Sequence, residues 1–372
     1  LLLERLHHGH RLAPPQQPVL GAYSSADPAV AERHIAWAAE HGIDFFAVDW
    51  WPTRPDQNAA LTNGLLRARN LGDARFCVFY ETWALGFDKD LGCTSFDADK
   101  RRRFVADMTD LADRFFAHPS YLRVGGRPVV MLYLSRTFAG DFAGAMKEAR
   151  RALKKRGYDV FFVGDEIFWN VTPVKKGRPH PLVAAPQPAR VRCFDAVTAY
   201  NMYENALPEH AGYGARSRFL ADVAAKYGQY REAGRGRVYL IPGVIPGYND
   251  RGVRRGLDHF VIPRAWDRDE GEGSFLARAF ERFALPMADP RLNTIMVTSW
   301  NEWNEDTAIE PLAESPPTRV DGSREKDFFT RGHAYAGHGL AYLQTIRDQV
   351  VAVSGRVERP DGSPAAGAEV RA

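Results

Sequence analysis

The feature that most constrains the fold of this chain is a regular alternation of short apolar runs with longer amphipathic stretches. Eight runs rich in Val, Ile, Phe and Tyr occupy residues 19–23, 43–50, 76–81, 128–134, 160–164, 196–200, 238–244 and 294–300. Near-continuous apolar runs are typical of parallel strands that are covered on both faces. Strands that alternate with helices indicate a sheet built from βα units. Eight such units predict an α/β fold of the closed (β/α)8, or TIM, barrel type.

Helical periodicity fills most of the connections between these strands. We expect helices near 28–41, 57–71, 97–117, 140–156, 215–233, 271–287 and 328–349, and a Pro- and Gly-rich loop at 165–193. Asp27 followed by Pro28 is a good helix start, and Gly42 and Gly157 are candidate helix ends. An open, doubly wound sheet would carry a Gly-rich phosphate loop after its first strand, and no such loop follows residue 23.

The chain divides into three parts by composition. Residues 1–18 form a leading segment rich in His and Pro, and residues 19–350 form a single catalytic barrel domain. Residues 351–372 form a linker and two short predicted strands around Asp361-Gly362. This tail resembles the opening hairpin of the carboxypeptidase-regulatory-like β-sandwich, truncated here. That module is often appended to exported enzymes, so we expect an extracellular, periplasmic or cell-surface location.

Charge and cysteine content exclude several classes of partner. The net charge is only +3, and the densest basic run, 100–103, begins an amphipathic helix, so we expect no nucleic-acid partner and no site for a nucleotide diphosphate. No apolar run reaches the ~18 residues that cross a bilayer. Cys77, Cys93 and Cys193 lack metal-binding spacing. We expect a monomer that uses no metal and no cofactor.

Acids and aromatic residues dominate the predicted strand ends, where barrel enzymes carry their active groups. No Ser–His or Cys–His pair for acyl transfer is found there. Carboxylates suit glycosidic cleavage, and aromatic rings can stack on sugar rings. We therefore expect the partner to be a glycan or polysaccharide. The predicted substrate-binding residues are Tyr23, Asp49, Trp50, Trp51, Glu81, Tyr200, Tyr248, Asp250, Asn301 and Trp303.

The sharpest motif follows the eighth predicted strand and reads Trp-Asn-Glu-Trp-Asn-Glu-Asp over residues 300–306. Glu302 and Glu305 are three residues apart and can project to one side of a tight turn. Two close carboxyls cannot both ionise freely, so one of them is expected to hold a proton. Glu302 and Glu305 are therefore the predicted catalytic pair. The alternative interpretation is the start of a surface helix, but this would expose two tryptophans.

Together with the trailing Ile309-Glu310-Pro311, this motif resembles glycoside hydrolase family 99, the endo-α-mannosidases and endo-α-mannanases, and the related WbsX-like family. Weaker similar blocks lie at 21–28, 41–51, 194–197 and 246–250, so the resemblance spans about 19–349. It implies a retaining, endo-acting α-glycosidase for manno-configured substrates. In that mechanism Glu302 deprotonates the 2-hydroxyl of the sugar, which attacks the anomeric carbon to give a 1,2-anhydro sugar. Glu305 protonates the leaving oxygen and later activates water.

The chain departs from the mannosidase pattern at three rim positions. Asn304 replaces His, Asp306 replaces Gly, and Tyr80-Glu81-Thr82 stands where mannosidases have Glu-Pro-Tyr. These differences leave the identity of the sugar open. Two further interpretations also stay open: a WbsX-type glycosyltransferase that uses an activated sugar, and a carbohydrate-binding barrel without catalysis.

Overall fold

The computed structural model describes residues 11–168, 185–205, 208–212, 215–254 and 259–350. The predicted tail hairpin and most of the predicted loop 165–193 lie outside these residues. The strands are β1 (Phe45–Trp50), β2 (Arg75–Tyr80), β3 (Thr94–Phe96), β4 (Arg123–Val124), β5 (Arg127–Leu132), β6 (Phe138–Gly140), β7 (Phe161–Asp165), β8 (Ala196–Thr198), β9 (Tyr239–Leu240), β10 (Gly243–Val244), β11 (Met296–Val297), β12 (Leu312–Thr318) and β13 (Tyr335–Gly339). The α-helices are α1 (Pro28–Glu40), α2 (Pro55–Ala59), α3 (Ala98–Leu111), α4 (Phe142–Lys155), α5 (Pro188–Val191), α6 (Arg216–Gly234), α7 (Ser274–Ala279), α8 (Leu285–Met287) and α9 (Ala341–Val350).

A parallel sheet forms the centre of the molecule, in the order β1-β2-β5-β7-β8-β9, with β4 pairing antiparallel to β5. β10 follows β9 along the chain and pairs in parallel with β11. Helices connect successive strands and cover the outer face, as in βα units. This α/β architecture is consistent with the predicted TIM barrel.

The helix signals read from the sequence are confirmed at α1 and at two helix ends. The Asp27 side chain accepts a hydrogen bond from the Ala29 amide at 2.9 Å, and Pro28 occupies the first turn. Gly42 and Gly157 adopt φ values of 75° and 86°, the left-handed conformation that glycine enters without a steric cost. Local chemistry therefore sets where these elements begin and end.

The predicted first strand, 19–23, is wrong. Gly21 donates its amide to the Pro18 carbonyl at 2.9 Å, which closes a tight turn, and Gly21 has a φ of 67°. Glycine is favoured at the last position of a four-residue turn, and the positive φ of Gly21 does not fit a strand. Val19 is 52% exposed, so its side chain does not contribute to the barrel core.

Two later segments also differ from prediction. The run 238–244 is broken into β9 and β10 around Pro242, which cannot donate a ladder hydrogen bond. The predicted helix 328–349 begins only at Ala341, because the preceding residues form β13 against β12. A Cβ on Gly337 would lie 1.9 Å from the Ala313 carbonyl oxygen, so this approach of two strands requires glycine.

The missing first strand leaves a gap beside β1. In the described part of the chain no strand pairs with the outer edge of β1, and a cavity of about 620 Å³ lies between β1 and β11. We call it the seam cavity; its lining includes Phe45, Ala47, Met296 and Val350. None of the helices in the described residues is both long and apolar enough to span a bilayer.

Candidate active site

Four carboxylates line a second cavity, of about 380 Å³, at the carboxyl ends of the central strands. We call this cavity the acidic pocket. Its lining includes Asp49, Glu81, Glu302 and Glu305 together with His34, Phe79, Tyr133, Tyr200, Trp300 and Asn301. Active groups at this end of the strands are the rule for barrel enzymes. Six of the twelve residues predicted to form the site therefore meet in one cavity: Asp49, Glu81, Tyr200, Asn301, Glu302 and Glu305.

A single helical turn, Trp303–Glu305, carries the predicted catalytic pair. The Glu302 carboxylate caps this turn by accepting the Asn304 amide at 2.9 Å, and Ser299 Oγ accepts the Glu302 amide at 2.9 Å. Asp306 ends the turn with a φ of 54°, a conformation that usually favours glycine. The motif is a tight turn in the pocket wall, and its two carboxylates face the cavity.

The two glutamates differ in their surroundings. Burial, and then the negative charge of Glu305, raise the pKa of Glu302 to about 7. Glu305 instead forms an ion pair with Arg254, with 2.7 Å between Oε1 and Nη2. Near neutral pH, Glu302 is therefore a group that both binds and releases a proton, which is the property required of an acid or base catalyst.

Asp49 and Glu81 form the opposite acidic wall, at the ends of β1 and β2. Burial raises the pKa of Asp49 to about 6, although its carboxylate accepts a hydrogen bond from Trp51 Nε1 at 2.8 Å. Burial also raises the pKa of Glu81 to about 8, with smaller contributions from the charges of Asp49 and Asp165. At pH 7 Glu81 is therefore mainly protonated and can donate as well as accept a hydrogen bond, whereas Asp49 is mainly ionised and accepts.

Tyr23 and Trp303 lie beside the acidic pocket. The Tyr23 hydroxyl donates to Glu310 Oε2 at 2.5 Å and accepts from Asn301 Nδ2 at 3.3 Å. Burial raises the pKa of Tyr23, and so does the neighbouring Glu310, which keeps the hydroxyl protonated. Tyr23 therefore ties the loop before α1 to the segment after β11.

Trp50, Tyr248 and Asp250 are absent from the lining of the acidic pocket. Trp50 is only 2% exposed and packs edge-on against Phe115 with ring centroids 5.1 Å apart, so it faces the helical layer. Asp250 is fully buried and accepts hydrogen bonds from Tyr248 and Arg254. The structure places these side chains in the wall that supports the pocket.

Sequence analysis missed two groups of this site, His34 and Arg254. His34 Nε2 lies 3.1 Å from Glu310 Oε1, across 276 residues of sequence, and its ring lines the pocket. The available signal was a lone histidine on the apolar face of α1, between Ala31 and Ala38. Such a residue is hard to tell from a core histidine without the fold.

The acids after β7 have a different role. Asp165 pairs with Arg136 at 2.5 Å and accepts the Tyr200 amide at 2.9 Å, while Glu166 pairs with Arg190 at 2.9 Å. These buried pairs join neighbouring strand ends. Within the described ranges, no group of three or more His, Cys, Asp or Glu side chains is arranged to hold a metal ion.

Comparison with known proteins gives a family and two kinds of relative. The family model described as "Glycosyltransferase WbsX" matches residues 4–316. "Uncharacterized protein WxcX" of Xanthomonas campestris pv. campestris (strain B100) is 24% identical over an alignment of 325 residues that covers 82% of this chain and 42% of that protein. The human "Glycoprotein endo-alpha-1,2-mannosidase-like protein" is 22% identical over 309 residues, or 82% of this chain and 59% of that protein. The chain thus spans about half the length of these curated relatives.

Solved structures show the same fold. The GH99 endo-alpha-mannosidase from Bacteroides thetaiotaomicron superimposes with a TM-score of 0.57 at 19% identity, covering 90% of this chain and 82% of that one. A "Glycoside hydrolase-like protein" superimposes with a TM-score of 0.63 at 18% identity, covering 90% and 89% of the two chains. The architecture is therefore that of the GH99 endo-α-mannosidase structures.

Proposed function

The chain belongs to the WbsX family, and we propose that it is a retaining, endo-acting α-glycosidase that cleaves an α-mannose-containing glycan or polysaccharide. The observation that carries the proposal is the meeting of Glu302 and Glu305 with Asp49 and Glu81 in one cavity. Glycosidic cleavage needs one carboxyl to protonate the leaving oxygen and a second to act on the sugar side. The GH99-like fold supports the same chemistry.

In the proposed reaction, Glu302 accepts the proton of the sugar 2-hydroxyl while that oxygen forms a bond to the anomeric carbon. In the reacting form the one proton that the pair shares lies on Glu305, and Glu302 is ionised. The bond from the anomeric carbon to the leaving oxygen breaks, and Glu305 donates its proton to that oxygen. Water then opens the 1,2-anhydro sugar, with Glu305 as base and Glu302 returning the proton. A pKa of about 7 for Glu302 lets this side chain accept and return a proton at neutral pH.

The substrate configuration follows from the same step. An axial 2-hydroxyl lies opposite an axial α leaving group, as in α-mannosides, so in-line displacement needs no large ring distortion. The pocket offers Asp49 and Glu81 for the remaining hydroxyls and Trp300 and Tyr200 for the ring faces. Carboxylates fix hydroxyls by hydrogen bonds, and aromatic side chains supply the apolar surface typical of ligand sites.

The test uses leaving groups and the 2-hydroxyl. Glu305→Gln should slow cleavage of α-mannan by about 10² to 10⁴-fold and affect activated aryl α-mannosides much less, because these leaving groups need little protonation. Glu302→Gln should abolish turnover of both. A 2-deoxy substrate should bind without reacting. Turnover of the 2-deoxy substrate near the parent rate would contradict the proposal and make Glu302 a direct nucleophile.

A glycosyltransferase is the second candidate, because the matching family carries that description. Three Asp-x-Asp sequences occur, at 88–90, 97–99 and 267–269. In the described residues, none of these aspartates lines the acidic pocket, and Asp97 instead caps α3 through the Lys100 amide. Incubating α-mannans and α-glucans with and without sugar nucleotides separates the two activities: product that requires the nucleotide would favour the transferase.

A further inference from the structure

Arg254 is the cation that contacts the predicted catalytic pair. Its guanidinium points one nitrogen, Nη2, at Glu305 Oε1 at 2.7 Å. The other, Nη1, donates to Asp250 Oδ2 at 2.6 Å and to the Tyr248 hydroxyl at 2.9 Å. A planar guanidinium held at both ends has a fixed direction, unlike a flexible ammonium group.

The support behind Arg254 is itself fixed. The Asp250 side chain is fully buried and also accepts from His259 Nδ1 at 2.7 Å. Tyr248 stacks on Tyr203 with ring centroids 3.7 Å apart. A buried carboxylate with several charged or polar donors keeps its partners in place, since moving them would leave an unpaired charge. Asp250 therefore aims the Arg254 fork at Glu305.

The backbone ties the same two segments together. The Asn249 amide donates to the Glu305 carbonyl oxygen at 2.8 Å, so the loop that carries Arg254 is joined to the turn that carries both glutamates. Glu305 lines the acidic pocket and Arg254 does not, and the guanidinium contacts one oxygen of the carboxylate, Oε1. This is the position expected of a group that orients a reacting carboxylate.

A cation beside Glu305 balances negative charge in the acidic pocket. Four carboxylates line the acidic pocket, and no Lys or Arg is found among its described lining residues. Among the described residues, Glu305 interacts electrostatically with Arg254 and with a set of carboxyl and phenol groups that includes Glu302, Tyr133, Tyr200, Tyr203 and Tyr248. Arg254 is the cation among these groups, and its charge opposes the rise in the pKa of Glu302.

We propose that Arg254 is a positioning residue that orients the Glu305 carboxylate and stabilises negative charge across the Glu302–Glu305 turn. This inference rests on the proposed glycosidase function. When Glu305 gives its proton to the leaving oxygen, the new carboxylate forms beside the guanidinium. The same positive charge helps Glu302 to be ionised, and so ready to accept the 2-hydroxyl proton, at neutral pH.

The kinetic test compares Arg254→Gln, Arg254→Lys and a control, Arg278→Gln. The control removes a similarly exposed arginine that pairs with Glu281 at 3.0 Å and does not line the acidic pocket. Arg254→Gln should lower kcat/KM on α-mannan about 10²-fold at pH 7 and move the acidic limb of the pH profile to higher pH, because Glu302 then ionises less readily. Arg254→Lys should leave the acidic limb of the pH profile unchanged, because the positive charge is kept. It should still lower kcat/KM, since Lys lacks the planar, forked guanidinium of Arg. The control should match the wild type.

A second readout works without turnover. Carbodiimide labelling of Glu302 across a pH series, read by mass spectrometry, reports its protonation directly. The pH midpoint of Glu302 labelling should rise in Arg254→Gln and stay unchanged in Arg254→Lys. An unchanged midpoint and limb in Arg254→Gln would overturn the inference, whatever the rate. If the wild type cleaves no glycoside, the proposed function fails, and the labelling still decides the role of Arg254. If Arg254→Gln does not fold, Arg254→Met replaces it.

Discussion

The central parallel strands fall into two arcs that are built differently. From β1 to β7 the principal strands are five or six residues long and pair in continuous register. From β8 to β11 the strands have only two or three residues. In this short-stranded arc, side-chain hydrogen bonds connect segments that backbone hydrogen bonds connect in the longer strands. The Tyr227 hydroxyl accepts hydrogen bonds from the Ala199 and Gly243 amides at 3.2 and 2.9 Å.

The chemistry follows this difference. Asp49 and Glu81 extend directly from the ends of long strands, where the ladder fixes them. Glu302, Glu305 and Arg254 lie on turns of the short-stranded arc, where backbone outside a ladder is free to form a tight helical turn. The regularly paired long strands therefore hold Asp49 and Glu81 in a rigid acidic wall. The irregular backbone of the short-stranded arc brings the two glutamates and Arg254 together.

The largest effect should come from the long-stranded arc. Phe76 in β2 is fully buried and packs edge-on against Tyr121 with ring centroids 5.2 Å apart. Phe76→Ala should lower the free energy of unfolding by about 3 to 5 kcal/mol, measured by urea denaturation. Leu91→Ala, at a side chain 53% exposed, is the control. A loss below ~1 kcal/mol at Phe76 would mean that the long strands do not dominate stability.

Glu81 allows a test of the rigid wall by pH. Burial raises the pKa of Glu81 to about 8 in the folded state, against roughly 4.3 when unfolded. Unfolding then releases a proton, so the destabilisation grows as pH rises from about 4.3 to 8. Glu81→Gln should raise the free energy of unfolding by about 2 to 3 kcal/mol at pH 8. At pH 4 the variant should equal the wild type, and an equal gain at both pH values would rule out this cause.

A smaller effect should come from the short-stranded arc. Tyr227→Phe leaves the buried Ala199 and Gly243 amides without their acceptor and should cost about 1 to 2 kcal/mol. The control is Tyr239→Phe, whose hydroxyl makes no hydrogen bond within the described residues. Thermal unfolding at one pH compares the two. Equal melting temperatures would mean that side-chain ties are not what holds β8 and β10 together.

Sequence reasoning succeeded where the signal is local. The apolar runs that became β1, β2 and β5 fall within three residues of prediction at either end, and the Glu302–Glu305 turn is a contiguous motif. It failed at 19–23, where the Pro18–Gly21 turn outweighs strand propensity. The Arg254–Glu305 bridge joins residues 51 positions apart, and no periodicity or spacing links them before the chain has folded.

The seam cavity has a consequence for the shape of the active site. Phe46, Ala47, Phe79, Tyr200, Ser299 and Trp300 line both the seam cavity and the acidic pocket. A partition with open space on each side has few atoms behind it, so its side chains lose the close contacts that hold core residues in one rotamer. The back wall of the pocket is accordingly compliant. If the proposed sugar substrate is bulky, it is expected to press Phe46 or Trp300 outward, so that the acidic pocket enlarges into the seam cavity.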